Sequence, residues 1–144
     1  MAQKEIIFNK SILKIREDGI LHIDICPDDI FTREDLIDVL IGAKQLGNGK
    51  KLANLITVGA YTTADKETRE MSVQPGYCKY RIADAFVVTT LSQSIVANFY
   101  LKVNKPPIPT HFFKTEEEAV KWLHKIIAGA KENETIKAKS LEAV

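Results

Sequence analysis

Only two cysteines, Cys26 and Cys78, occur among 144 residues, and no CxxC pair is present. That scarcity excludes a disulfide framework. One bridge is allowed by count, but two reduced structural thiols in a cytoplasmic protein are the expectation. The three histidines, His22, His111 and His124, are scattered with no HxH or HxxxH spacing, so no metal centre is expected. Excess charge of one sign is also missing. Twenty Lys and Arg against nineteen Asp and Glu leave a net +1, which supplies no electrostatic reason for nucleic acid or an anionic membrane as partner. No long hydrophobic run exists either: the most apolar window, Ile95 to Val103, is too short to span a bilayer. The opening MAQKEIIFNK lacks the apolar stretch of a secretory signal. Neither GxGxxG, GxxxxGKS/T nor a GxSxG turn is present, so dinucleotide binding, P-loop phosphate binding and a strained serine nucleophile are all unsupported. No catalytic residue and no cofactor is assigned.

The chain does contain clear alternation. In Ser11–Arg16, Leu13 and Ile15 alternate with Lys14 and Arg16, a half-buried strand. Asp18-Gly19 supplies a tight turn, and Leu21, Ile23 and Ile25 then alternate with His22 and Asp24. This hairpin is expected to lie at a sheet edge. Thr32 caps a helix whose stripe is Leu36, Val39, Leu40, Ala43 and Leu46, stopped by Gly47-Asn48-Gly49. Lys51–Gly59 is apolar on both faces through Leu55, Ile56 and Val58, as a covered central strand should be. Thr62, Thr63 or Asp65 caps a short helix beginning at Lys66, and Ala85–Thr89 forms the next buried strand. Thr90 opens a helix apolar on most sides, in which only Asn98 and Lys102 mark a polar stripe. A short strand at Ile108–Phe113 follows, then a Thr115-Glu-Glu-Glu118 capping box and a helix with Trp122, Leu123 and Ile126 inward.

The resulting order is β-β-α-β-α-β-α-β-α. It predicts a single-domain α/β fold with a mixed sheet of about five strands, its later strands parallel through right-handed crossovers. The domain is expected over 10–128, with 129–144 a tail that is frayed or docked.

This order, with the threonine-capped EEEAVKWL helix, resembles the STAS superfamily and its SpoIIAA-like relatives. The segments Lys66–Arg69, Ile95–Leu101, Asn104–Thr110 and Phe113–Ala119 are similar to those of small, uncharacterised bacterial STAS-like proteins. The resemblance implies a regulatory or protein-interaction module. In some members a hydroxyl at a helix start, within an Asp-Ser-Ser/Thr-Gly type motif, is phosphorylated. Here Thr57–Asp65 offers Thr62 and Thr63, without that motif's aspartate or glycine.

Two candidate sites follow. The rim beyond the carboxyl ends of the parallel strands collects Thr62, Thr63, Asp65, Thr90 and Ser92, with Lys105 from the third connection, as a place for a phosphate or an unknown protein partner. Ile95, Phe99, Tyr100 and Val103 of the apolar helix form the second, lining a pocket for a small apolar or amphipathic ligand, or an interface that leaves room for a homodimer.

Overall fold

The structure, a computed structural model, describes residues 4–142. Period-two burial builds the first part of the sheet. β1 (Glu5–Ile7), β2 (Ser11–Ile15) and β3 (Leu21–Ile25) are antiparallel neighbours, and in β2 and β3 Leu13, Leu21 and Ile23 are buried while Lys14 and Asp24 face out. β4 (Ile30–Phe31) leads into α1 (Arg33–Leu46), followed by β5 (Leu52–Val58), β6 (Thr63–Ala64) and α2 (Lys66–Ser72). A 3₁₀ turn at Pro75–Tyr77 precedes β7 (Arg81–Val87). α3 (Leu91–Phe99) widens into a π turn over Tyr100–Asn104, and β8 (Thr110–Phe113) and α4 (Glu116–Glu142) complete the chain.

The main sheet has six strands in the order β1-β2-β3-β5-β7-β8, with β3, β5, β7 and β8 parallel to one another. A second small sheet pairs β4 with β6. Two strand expectations therefore change. The sheet has one more strand than the pattern gave, because β1 is three residues long and shows no readable period. For the same reason the hairpin is not the edge: β1 covers β2.

Side-chain alternation divides the sheet into two cores. On one face Leu13, Leu21, Ile23, Ile25 and Ile56 pack under Val39, Ala43 and Leu46 of α1. On the other, Ala53, Leu55, Ala83 and Ala85 lie under Ala119 and Leu123 of α4, the small residues bringing that helix close to the sheet. From Ala130 to Leu141 α4 is exposed all round, a continuous helix where the sequence left a frayed or docked tail open. The last two residues of that tail lie outside those described. No helix among the described residues is long and apolar enough to cross a membrane.

Caps fix where helices start. The Asp35 carboxylate accepts from Thr32 N and Thr32 Oγ1, both at 2.8 Å, and pairs with Lys10 Nζ at 3.1 Å. Lys10 also donates to Ile30 O at 2.8 Å, so one ammonium ties the β1–β2 connection to the start of α1. At the other end of α1 the left-handed conformation falls on Asn48 (φ 52) and Gly49 (φ 78), while Gly47 remains right-handed.

Burial pushes the Asp35 carboxyl up, but the two Thr32 hydrogen bonds and the Lys10 ammonium outweigh it and hold it below the ordinary value. A carboxyl depressed by folding contributes stability that is complete above its unfolded pKa and is lost as pH falls through the folded one. Wild-type protein should therefore lose melting temperature as pH drops below about 4. Asp35→Asn should be less stable at neutral pH and show a shallower acid slope. Equal slopes in calorimetric scans would refute this assignment.

Candidate functional site

The face of the sheet under α1, α2 and α3 is not fully filled. A cavity of about 160 Å³ lies there, walled mainly by apolar groups: Ile23, Ile56 and Phe86 of the sheet, Val39 of α1, and Val96 and Ala97 of α3. Its aromatic side is built from three rings. Phe86 stacks on Phe112 with centroids 4.7 Å apart, and Tyr100 meets both edge-on at 6.3 and 6.4 Å.

One end of the cavity is polar, and a backbone irregularity makes it so. Residues three apart on a regular strand point to opposite faces. The β5–β7 register runs Leu52↔Arg81 and then Ala53↔Ala83, so Ile82 is an extra residue, a bulge. Arg81 and Asp84 thereby share a face. Arg81 Nε donates to Asp84 Oδ2 at 2.9 Å, and Nη2 donates to the same oxygen. Nη1 donates to Ser72 O at 2.6 Å and Tyr77 O at 3.3 Å, so the guanidinium also closes the carboxyl end of α2. Burial works against the charged guanidinium, but Asp84 beside it more than offsets this and moves its pKa up. The Cys78 thiol nearby is pushed up by burial.

Asn54 completes this end from β5. It is 3% exposed, and its Nδ2 donates to Asp84 Oδ1 at 2.9 Å. A carboxylate can only accept, so this bond fixes which way the amide is turned. The amide oxygen is left buried without a partner, on a residue that lines the cavity. Tyr100 Oη lies 2.8 Å from Ser72 Oγ, whose proton goes to Arg69 O at 3.0 Å, so the phenol proton is given to Ser72. Burial raises the Tyr100 pKa, with the Arg81 charge opposing.

The rim residues serve mostly as joints. Thr62 is 2% exposed; its Oγ1 donates to Cys26 O at 2.6 Å and accepts from Asp29 N at 3.1 Å. Thr63 is half-buried in β6, pairing with Ile30. Of the three candidates for the α2 cap, Asp65 holds it, accepting from Thr68 N at 2.8 Å. Thr90 forms a capping box with Gln93 and lies 3.2 Å from the exposed Ser92 hydroxyl. Lys105 is exposed but ends the π turn in a left-handed conformation (φ 52), separated from Thr90 by α3 together with that turn, about 20 Å at helical rise. Of the four rim hydroxyls and one carboxylate, Thr62 and Thr90 are linked through Gln93, and Lys105 does not join them.

The candidate residues of α3 also divide. Tyr100 is 6% exposed and turned into the cavity, whereas Ile95, Phe99 and Val103 are 61%, 47% and 59% exposed on the outer side. Gln93, unremarked in the sequence, holds α3 in place. Its Nε2 donates to Gly59 O at 2.8 Å and Thr62 O at 2.9 Å, while its Oε1 accepts from Thr89 N and Thr90 N. Among the described residues no group of three or more His, Cys, Asp or Glu is placed to hold a metal ion.

Residues 13–127 match a family described as a domain of unknown function, DUF7793. Among solved structures, the chain is similar to an uncharacterized protein of the DUF3478 family, with a SpoIIAA-like fold, from Shewanella loihica PV-4. The two share 16% identity and a TM-score of 0.53, over 85% of this chain and 98% of that one. At this identity the likeness speaks for the fold, which is SpoIIAA-like. No curated protein matches the sequence.

Proposed function

Because the chain belongs to the DUF7793 family, whose description names no activity, the cavity has to carry the functional reading, and we propose that this domain is a non-catalytic binder of a small, largely apolar ligand. The supporting observation is the combination of an apolar cavity with a buried amide oxygen that the protein itself leaves unpartnered. Buried acceptors are nearly always paired, and one left open in an apolar cavity costs about 1–3 kcal/mol unless something enters to meet it. Small-molecule sites have this composition: apolar walls and a few placed polar groups.

The reading of the rim as a regulated surface draws less support. Its central hydroxyl, Thr62, is buried with both hydrogen-bonding roles filled by Cys26 and Asp29, so an enzyme that modified it would first have to open the β4–β6 pair.

Titrating the protein with toluene, an apolar probe of about the right size, tests the proposal. Methyl resonances of Ile23, Ile56 and Val96 should move and the melting temperature should rise. Filling the cavity with Ala97→Leu should abolish both effects. Unmoved methyls at saturating toluene would reject the proposal.

A further inference from the structure

Resting on the reading of the cavity as a binding site, we infer that its ligand is a neutral, single-ring aromatic carrying one N–H or O–H donor, of the phenol or pyrrole class, with Asn54 Oδ1 as the acceptor. Volume sets the size. About 160 Å³ is close to the roughly 150 Å³ of an engineered apolar cavity that takes up benzene, so a long acyl chain or a fused polycycle does not fit.

The wall sets the ring. Phe86, Phe112 and Tyr100 offer both faces and edges within one side of the cavity, the surroundings that aromatic guests fill in offset or edge-on contact. Saturated guests of the same volume gain only the area term.

The polar end sets the functional group. One Asn54 Nδ2 hydrogen goes to Asp84, and the atom left with no partner at all is the acceptor Oδ1, which calls for a donor. Tyr100 gives its proton to Ser72, Arg81 is turned to Asp84, Ser72 O and Tyr77 O, and the Thr68 hydroxyl, though open, makes no hydrogen bond to Asn54. A ligand hydroxyl or ring N–H completes the set. An anion at this end would approach the open acceptor of Asn54 and the Asp84 carboxylate behind it, with the Arg81 charge already matched. Two other groups lining the cavity stand open: Thr68 Oγ1, buried without a partner, and Arg69, which donates to Ala64 O, lies over the Phe99 ring at 5.5 Å, and has an Nε without an acceptor. An anionic ring would seat its carboxylate on Arg69 and leave Asn54 unmet.

The experiment compares phenol, toluene and benzoate on the wild-type chain by NMR titration, following cavity methyls for affinity and the Asn54 side-chain carbonyl carbon for the hydrogen bond. Phenol should bind about tenfold more tightly than toluene, the worth of one buried hydrogen bond to a neutral partner. It should also move the Asn54 carbonyl resonance, which toluene should leave in place. Asn54→Leu should retain toluene and lose the preference for phenol. Toluene binding as well as phenol, with no change at Asn54, would overturn the inference while leaving the cavity reading intact. Benzoate binding more tightly than phenol would overturn it in favour of Arg69. If none of the three binds, the cavity reading itself fails.

Discussion

Asp84→Ala should be the most damaging change to a single polar side chain, lowering stability by about 3–5 kcal/mol and the melting temperature by about 10–15 °C. Asp84 is 1% exposed and holds three groups at once: Arg81 through two nitrogens, and Asn54 through its amide. Removing the carboxylate leaves a guanidinium whose side chain is only 10% exposed without its counter-charge, and leaves an Asn54 amide hydrogen without its acceptor. The cost is chiefly that of a stranded buried charge, not of the lost attraction, since desolvation is already complete in the fold. A paired replacement separates the two. Arg81→Met with Asp84→Leu removes both charges together and should recover most of the loss. Urea unfolding of the single and double variants measures this. A single variant within 1 kcal/mol of wild type would mean that water reaches Arg81 and the pair is not buried in solution.

How legible this arrangement was depends on the kind of residue. The hairpin, the Thr90 and Thr115 caps and the parallel order of the later strands follow from local rules, because period-two burial and capping need only neighbours in sequence. The polar end of the cavity does not. Asn54 lies inside a run that reads as apolar on both faces, and only its contact with a residue thirty positions away gives it a role. Arg81 and Asp84 lie ahead of the point where the sequence predicts the strand to begin. Even with the strand correctly placed, a spacing of three would put them on opposite faces; the bulge at Ile82 is a tertiary fact. Tyr100 shows the same limit in a helix. A stretch apolar nearly all round does not say which side is inside, and the neighbours decide it. They place Tyr100 against Phe86 and Phe112 and leave Ile95, Phe99 and Val103 outward. What remained visible was composition: one asparagine in an otherwise apolar strand, and one tyrosine in an apolar helix.

Gly59→Ala should be the second large loss, about 3 kcal/mol, because its obstacle is backbone and cannot rotate away. A Cβ at this position would lie 2.4 Å from Pro27 N and 2.5 Å from Cys26 C and Pro27 Cα. At that distance the connection after β3 has to move. Pro27 restricts how, since its ring fixes φ and it has no N–H to re-pair. The same residue is a junction of hydrogen bonds: Gly59 N donates to Ile25 O at 2.8 Å, and Gly59 O accepts from Thr62 N at 3.1 Å and from Gln93 Nε2 at 2.8 Å. Displacing it therefore loosens the hold of Gln93 on α3, the helix that carries Val96, Ala97 and Tyr100 into the cavity. The variant should lose affinity for toluene as well as stability, although residue 59 does not line the cavity. Gly76→Ala is the matched control, since a Cβ there meets nothing within 4 Å. It should leave both properties unchanged. If Gly59→Ala unfolds within 1 kcal/mol of wild type, the close approach of the β5 end to Pro27 is not a constraint in solution. If it loses stability yet binds toluene with full affinity, Gln93 does not couple this junction to the cavity.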